Sequence, residues 1–187
     1  MTISGDVLEE AVSWRKERRG VAVATVVSTW GSAPRPVGSQ LCVDAAGSFS
    51  GSVSGGCIEA SVVREALAVL ADGSPRLITF QVSNDLAWEV GLACGGRVEI
   101  FVNDIDMQLE MLQEVLAVRA RGGSAVLATA LPSGEQALLA GDEWRGRLTL
   151  GEEVLAQGRQ AIVNGESLSV ETEQDACSCT CSIRRHG

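Results

Sequence analysis

The stretch Arg18-Arg19-Gly20-Val21-Ala22-Val23-Ala24-Thr25-Val26-Val27 decides the fold. Its basic start closes an amphipathic helical pattern running from Asp6 to Arg19, with Val7, Leu8, Ala11, Val12 and Trp14 on the apolar side. Positive charge suits the C-terminal end of a helix, and Gly20 is the residue that stops it. From Val21 the chain is continuously apolar and rich in β-branched residues, the pattern of a strand covered on both faces. Working outward, Thr29 to Pro36 is a loop, and Gln40 to Asp44 with Ser48 to Val53 reads as a hairpin. Cys57 to Ala71 is helical and ends at Asp72-Gly73. Arg76 to Val82 and Arg97 to Val102 are strands, separated by a loop around Trp88.

The plan then starts again. Ile105 to Arg121 is helical and ends in Arg119-Ala120-Arg121-Gly122-Gly123, and Ala125 to Leu131 repeats the apolar strand. A hairpin follows (Gln136 to Ala140, Glu143 to Thr149), then a helix from Gly151 to Gln160. Strands at Ala161 to Val163 and Glu166 to Glu171 are expected to turn about Asn164-Gly165, a strong hairpin signal. Strands interleaved with helices and interrupted by hairpins predict an α+β fold, with a mixed β-sheet, packed helices and a degenerate internal duplication. The expected organisation is residues 1–103 with the glycine and cysteine motifs, 104–173 as a second α/β segment packed on it, and 174–187 as a mobile cysteine-containing tail.

Composition limits the function classes. A chain of 187 residues with 45% apolar and 21% charged residues can bury a substantial core. A net charge of −9 argues against nucleic acid or an anionic membrane surface as partner. No apolar run is long enough to span a bilayer, and the acidic start lacks the pattern of an export signal. The expected location is cytoplasmic. In such a reducing compartment the six cysteines read as thiols or metal ligands rather than a disulfide framework.

Two of those cysteines flank glycine pairs in mirror order, Gly55-Gly56-Cys57 and Cys94-Gly95-Gly96. Glycine pairs permit sharp turns and let a ligand approach the main chain. A helix opening near Gly56 would put Cys57 in the first turn, where free N–H groups favour a thiolate or a bound oxyanion. Glu59 lies early in that helix and is a capping candidate. Arg35, held between Pro34 and Pro36, is a preorganised guanidinium suited to phosphate or carboxylate. Ser32 and Ser54 are candidate donors to the same ligand. Cys42 alternates with apolar neighbours and belongs to the core. The spacing Cys177, Cys179, Cys181 matches soft-metal binding, although a closed zinc site wants four ligands. Both a transient metal or sulfur carrier and a frayed end fit it, and truncation after Asp175 is expected to leave the fold intact.

Thr29-Trp30-Gly31-Ser32-Ala33-Pro34-Arg35-Pro36-Val37-Gly38, Gly51-Ser52-Val53-Ser54-Gly55-Gly56-Cys57-Ile58-Glu59 and Gly91-Leu92-Ala93-Cys94-Gly95-Gly96 together resemble the signature of the XdhC/CoxI family. The resemblance covers roughly Asp6 to Val102. It implies an accessory protein rather than an enzyme, one that binds molybdenum cofactor (molybdopterin) transiently and serves a molybdenum hydroxylase of the xanthine dehydrogenase or carbon monoxide dehydrogenase type. It further implies a cysteine desulfurase as partner in sulfuration, and a homodimer. Many relatives carry a C-terminal Rossmann domain, whose G-x-G-x-x-G after a strand this sequence lacks. On this reading Ser32, Arg35, Ser54, Gly55, Gly56, Cys57, Glu59, Cys94, Gly95 and Gly96 bind the cofactor. Cys57 and Cys94 face the molybdenum from one cleft, and Cys177, Cys179 and Cys181 are further metal candidates. Two other classes stay open. One is a thiol enzyme with Cys57 as nucleophile, disfavoured because the lone histidine is His186. The other is an assembly module that binds a partner enzyme without a small ligand.

Overall fold

The computed structural model describes residues 6–31, 33–81, 96–141, 143–171 and 176–183. The chain forms two compact units, Met1–Met107 and Gln108–Gly187. The first contains α1 (Val7–Lys16), β1 (Val21–Trp30), β2 (Gln40–Asp44), β3 (Phe49–Gly51), α2 (Glu59–Asp72), β4 (Arg76–Gln81) and β5 (Arg97–Asp104), followed by a 3-10 turn at Ile105–Met107. The second contains α3 (Leu109–Ala120), β6 (Ser124–Leu131), β7 (Gln136–Ala140), β8 (Glu143–Gly146), α4 (Glu152–Asn164), β9 (Leu168–Glu171) and β10 (Ala176–Ile183). The fold is α+β as the sequence implies. It carries two five-stranded sheets, and every ladder in them is antiparallel rather than mixed.

The sheet orders are β3-β2-β1-β5-β4 and β8-β7-β6-β10-β9. Renumbered from the start of its unit, the second order is identical to the first, so the duplication extends to topology. The match reaches single side chains. Gln40 opens β2 opposite Thr25 and its amide donates to the Thr25 hydroxyl at 3.2 Å; Gln136 opens β7 opposite Thr129 and does the same at 2.9 Å. Gly51 and Gly146 end the third strand of each unit with φ of +92° and +138°. At both, an added Cβ would collide with the carbonyl of that glutamine.

The strands β1 and β6 are buried along most of their length because helices cover both sheet faces. Ala22, Ala24 and Val26 join Val62, Ala66 and Val69 of α2 in one core cluster, with Leu41, Val43, Ile100 and Val102. Residues of the opposite parity, Val21 and Val23, are buried too, and α1 packs against β1 and β2. An unalternating run therefore reports two-sided burial and does not require parallel pairing. In the second unit, Val126 and Ala128 meet Val154 and Ala161 of α4, while α3 packs on β6 and β7.

Two expectations change at the C-terminal end. Ala161 to Val163 belong to α4, and Gly165 closes that helix with φ +71°, donating its N–H to the Ala161 carbonyl at 2.9 Å. Asn-Gly supplies the left-handed conformation, which a helix cap needs as much as a hairpin does. Within the segment expected to be a mobile tail, Ala176–Ile183 instead form β10, paired over eight positions with β6 and over four with β9. Cys177, Cys179 and Cys181 stand in register with Ala130, Ala128 and Val126. Alternate spacing is the period of a strand as well as of a metal motif.

Because β10 lies between β6 and β9, truncation after Asp175 is expected to abolish the second unit's cooperative transition while the first unit still melts. Differential scanning calorimetry of full-length and truncated chains checks this. Gly51→Ala and Gly146→Ala should each lower stability by about 2–4 kcal/mol, from left-handed strain plus a clash with backbone. Urea unfolding monitored by circular dichroism would show it.

Candidate functional site

The segment between β3 and α2 is built around one carboxylate. Glu59 is the first residue of α2 and only 6% exposed. Its Oε1 accepts from Ser52 Oγ at 2.8 Å, Ser54 N at 3.0 Å and Val53 N at 3.3 Å. Its Oε2 accepts from Gly56 N at 2.9 Å and from the Ser54 hydroxyl. Burial acts to raise the Glu59 pKa, but the hydrogen bonds from Ser54, Ser52 and the Ser54 amide overcome it and bring the carboxyl down from 4.5 to about 2. The group stays ionised because the loop solvates it in place of water.

The serines complete the loop. Ser54 Oγ accepts from Cys57 N at 3.1 Å and Ile58 N at 3.0 Å, while Ser52 Oγ accepts from Gly55 N at 2.9 Å. A hydroxyl has one proton, and that of Ser54 goes to Glu59, so this buried serine has none for a ligand. The amides of Gly55, Gly56 and Cys57, expected to cradle an anion, are likewise engaged within the loop. Glu59 and Ser54 thus shape the site rather than line it. The helix starts at Glu59 after Ile58 as N-cap, so Cys57 precedes the first turn instead of lying in it.

What the loop presents outward is Gly55, Gly56 and one side of Cys57. Both glycines are exposed, with φ of +81° and +116°, and nothing lies within 4 Å of where a Gly56 Cβ would be. Cys57 is half-buried, resting partly on the first unit's core, and neither it nor Cys42 is in a disulfide. Cys42 is fully buried, and burial together with the charge of Glu10 pushes its thiol up to about 12, in keeping with a core residue.

The second loop at this end leaves β1 at Trp30 and returns at Gln40. Its return is pinned to β1 by Gly38 N to the Val26 carbonyl at 2.8 Å and Val26 N to the Ser39 carbonyl at 2.9 Å, beside a bulge between Val26 and Ser28. Arg35 is exposed between Pro34 and Pro36. A Cβ on Gly55 would lie 3.8 Å from Pro34 Cβ, so the Arg35 loop adjoins the glycine pair. The structure therefore brings the loop that carries Arg35 against the Gly55-Gly56 turn that precedes Cys57. Gly96 directly precedes β5. Ser32, Cys94 and Gly95 lie outside the described residues. Among the described residues no group of three His, Cys, Asp or Glu side chains is placed to hold a metal ion.

Sequence reading missed Trp30 and Arg97 as features of this end. They face each other across β1 and β5, with the Arg97 guanidinium carbon 5.2 Å from the indole centroid. The signal was available in their positions, each directly flanking a glycine-rich motif.

Residues 14–81 match the XdhC and CoxI family. The chain is 33% identical over 115 residues to the molybdenum cofactor insertion chaperone PaoD of Escherichia coli, spanning 62% of this chain and 35% of that one. It is 26% identical over 113 residues to a probable xanthine dehydrogenase subunit of Bacillus subtilis, covering 59% of this chain and 34% of the relative. Among solved structures, a xanthine dehydrogenase from Bacillus halodurans superposes with a TM-score of 0.68 at 25% identity, over 80% of this chain and 47% of that one. The chain spans about a third of the length of these two curated relatives.

The depressed Glu59 pKa predicts a pH dependence with a definite sign. A folded-state value below the unfolded one gives stability that is complete above about pH 4.5 and lost as pH falls through about 2. The full contribution is about 3 kcal/mol. Thermal melts of wild type and Glu59→Gln should differ by a constant amount at neutral pH, with the gap closing below about pH 4. A gap independent of pH down to about 2 would contradict this account of the loop.

Proposed function

We propose, for a chain whose first unit is of the XdhC and CoxI family over residues 14–81, that it is a maturation factor for a molybdenum hydroxylase, receiving molybdenum cofactor and passing it to the apoenzyme. The observation that carries this reading is the adjacency of the Arg35 loop to the exposed Gly55-Gly56 turn and Cys57. Support also comes from the relative named as a cofactor insertion chaperone.

The residues present fit such a ligand in kind. Its phosphate needs a cation, and in a chain of net charge −9 Arg35 is an exposed residue on the loop beside the turn. Its metal is soft enough to suit thiolate ligation, and Cys57 supplies a thiol next to open space at Gly56. The loop amides are already engaged, so anion binding falls to Arg35 rather than to the helix start. When bound, the cofactor supplies the molybdenum centre that the target enzyme uses. This chain's part is to grip the phosphate with Arg35, to hold Cys57 still through the hydrogen bond its backbone N–H donates to Ser54 Oγ, and to leave the glycine side open for transfer. Cys94, with Ser32 and Gly95, is assigned to the same site by its motif. A cysteine desulfurase as sulfur donor, and a homodimeric state, belong to the proposal.

The test is anaerobic purification of the full chain from cells making molybdenum cofactor, with bound pterin and molybdenum measured after gel filtration. Wild type should carry both in equal amounts. Arg35→Ala and Cys57→Ala should each retain less than about a tenth of that while unfolding within about 2 kcal/mol of wild type, the range for trimming small or exposed side chains. A wild-type protein free of pterin would sink the proposal and favour an assembly module that binds no ligand.

A further inference from the structure

The two units share one scaffold, so what the first has and the second lacks marks its specialised parts. With Thr25 matched to Thr129, the β6–β10 ladder reaches Leu131 opposite Ala176. The β1–β5 ladder passes a bulge and runs further, through Thr29 opposite Val98 and Trp30 opposite Arg97. The link from the threonine strand to the glutamine strand is also longer, with Trp30 to Gln40 standing where the second unit passes directly from Leu131 to Gln136. The third addition is the Ser52–Glu59 loop, and among the described residues the second unit has no buried carboxylate to match Glu59. All three lie at the end of the first sheet where β1 and β3 finish and β2 and β5 begin.

Trp30 and Arg97 belong to this added set. Trp30 is 56% exposed, an unusual placement for an indole in a short chain with few aromatics. The Arg97 guanidinium lies over its ring and is also ion-paired to Glu99, which accepts from Thr79 Oγ1 at 3.4 Å. The other stacked pair, Trp14 and Arg19, has an internal purpose, since Arg19 ties α1 to Asp44 at 3.1 Å. The tie made by Arg97 stays within β5 and the adjacent β4, so among the described residues it anchors no separate element. Trp30 directly precedes the loop that starts at Gly31, and its ladder partner Arg97 directly follows Gly96. Pro34 is four chain steps from Trp30, so the indole's backbone lies within about 14 Å of the residue that adjoins the Gly55 turn.

We infer that the Trp30–Arg97 pair is the stacking platform for the pterin ring of the cofactor, at the opposite end of the ligand from the phosphate held by Arg35. The inference rests on the maturation-factor reading. The cofactor is a reduced, pyran-fused pterin whose amino-pyrimidinone ring stays flat and conjugated, and that ring finds an aromatic face and a fixed guanidinium plane here, surfaces that bind unstacked heterocycles elsewhere. The Glu99 carboxylate holds the guanidinium in place, so little side-chain freedom is lost when a ring lands.

The test titrates the full chain and its variants anaerobically with molybdenum cofactor released from a purified molybdenum enzyme, reading tryptophan emission and pterin retained on gel filtration. Trp30→Ala should weaken binding about tenfold or more, and Trp30→Phe, which keeps an aromatic face, by less than about threefold. The cofactor should quench wild-type emission more than that of Trp30→Phe. 6-Carboxypterin, which has the ring without dithiolene or phosphate, should compete with the cofactor on wild type. Equal affinity of wild type and Trp30→Ala, or no competition by 6-carboxypterin, overturns the platform and leaves the maturation reading standing. Failure of wild type itself to bind cofactor overturns both.

Discussion

The buried Glu59 carboxylate is the constraint on which the functional end of the first unit depends. An ionised group at that depth is unfavourable unless donors surround it, and the chain supplies them from Ser52 to Gly56 within one turn of backbone. Satisfying the carboxylate dictates the path of the loop, and that path needs positive φ at Gly55 and Gly56. The same path brings the Cys57 amide to Ser54 and leaves the thiol at the margin of the core. Residues that read as ligand contacts in the sequence are thus divided between an inner layer that fixes geometry and an outer layer that meets solvent.

This division changes how the site recognises a ligand. A loop with unused amides binds any anion of the right size, whereas here the amides are committed inward. On the proposed reading, selectivity rests on side chains from separate elements: a guanidinium on one loop, a thiol on another, and an indole at the end of a strand. The second unit shows the scaffold without those additions. Its glutamine–threonine pair and its left-handed glycine persist, which marks them as requirements of the fold rather than of the ligand.

Much of the first unit was legible because its signals are local. The apolar run from Val21, the glycine after α1 and the turn before Ser48 each state one conformation. The motif residues were legible as a set, yet their roles were not, since the sequence does not say which atoms of Ser54 and Glu59 point at each other. The second unit's end was misread for a definite reason. Asn164-Gly165 and the alternating cysteines from Cys177 each satisfy two structures, and only sheet pairing decides between them. The duplication contained the answer, because a copy of β1–β5 needs a closing strand after β9.

That closing strand has a consequence for synthesis. In each unit the strand at the centre of the sheet is among the first made, yet one of its two partners is the last: β1 waits for Arg97–Asp104 and β6 for Ala176–Ile183. Ladders joining such distant positions are slow to form. While the chain emerges, β1 has one bare edge, and its apolar residues are available to other strands. The glycine loop and its thiol are already made at that stage, so a nascent chain carries the cysteine before the sheet that supports it has closed.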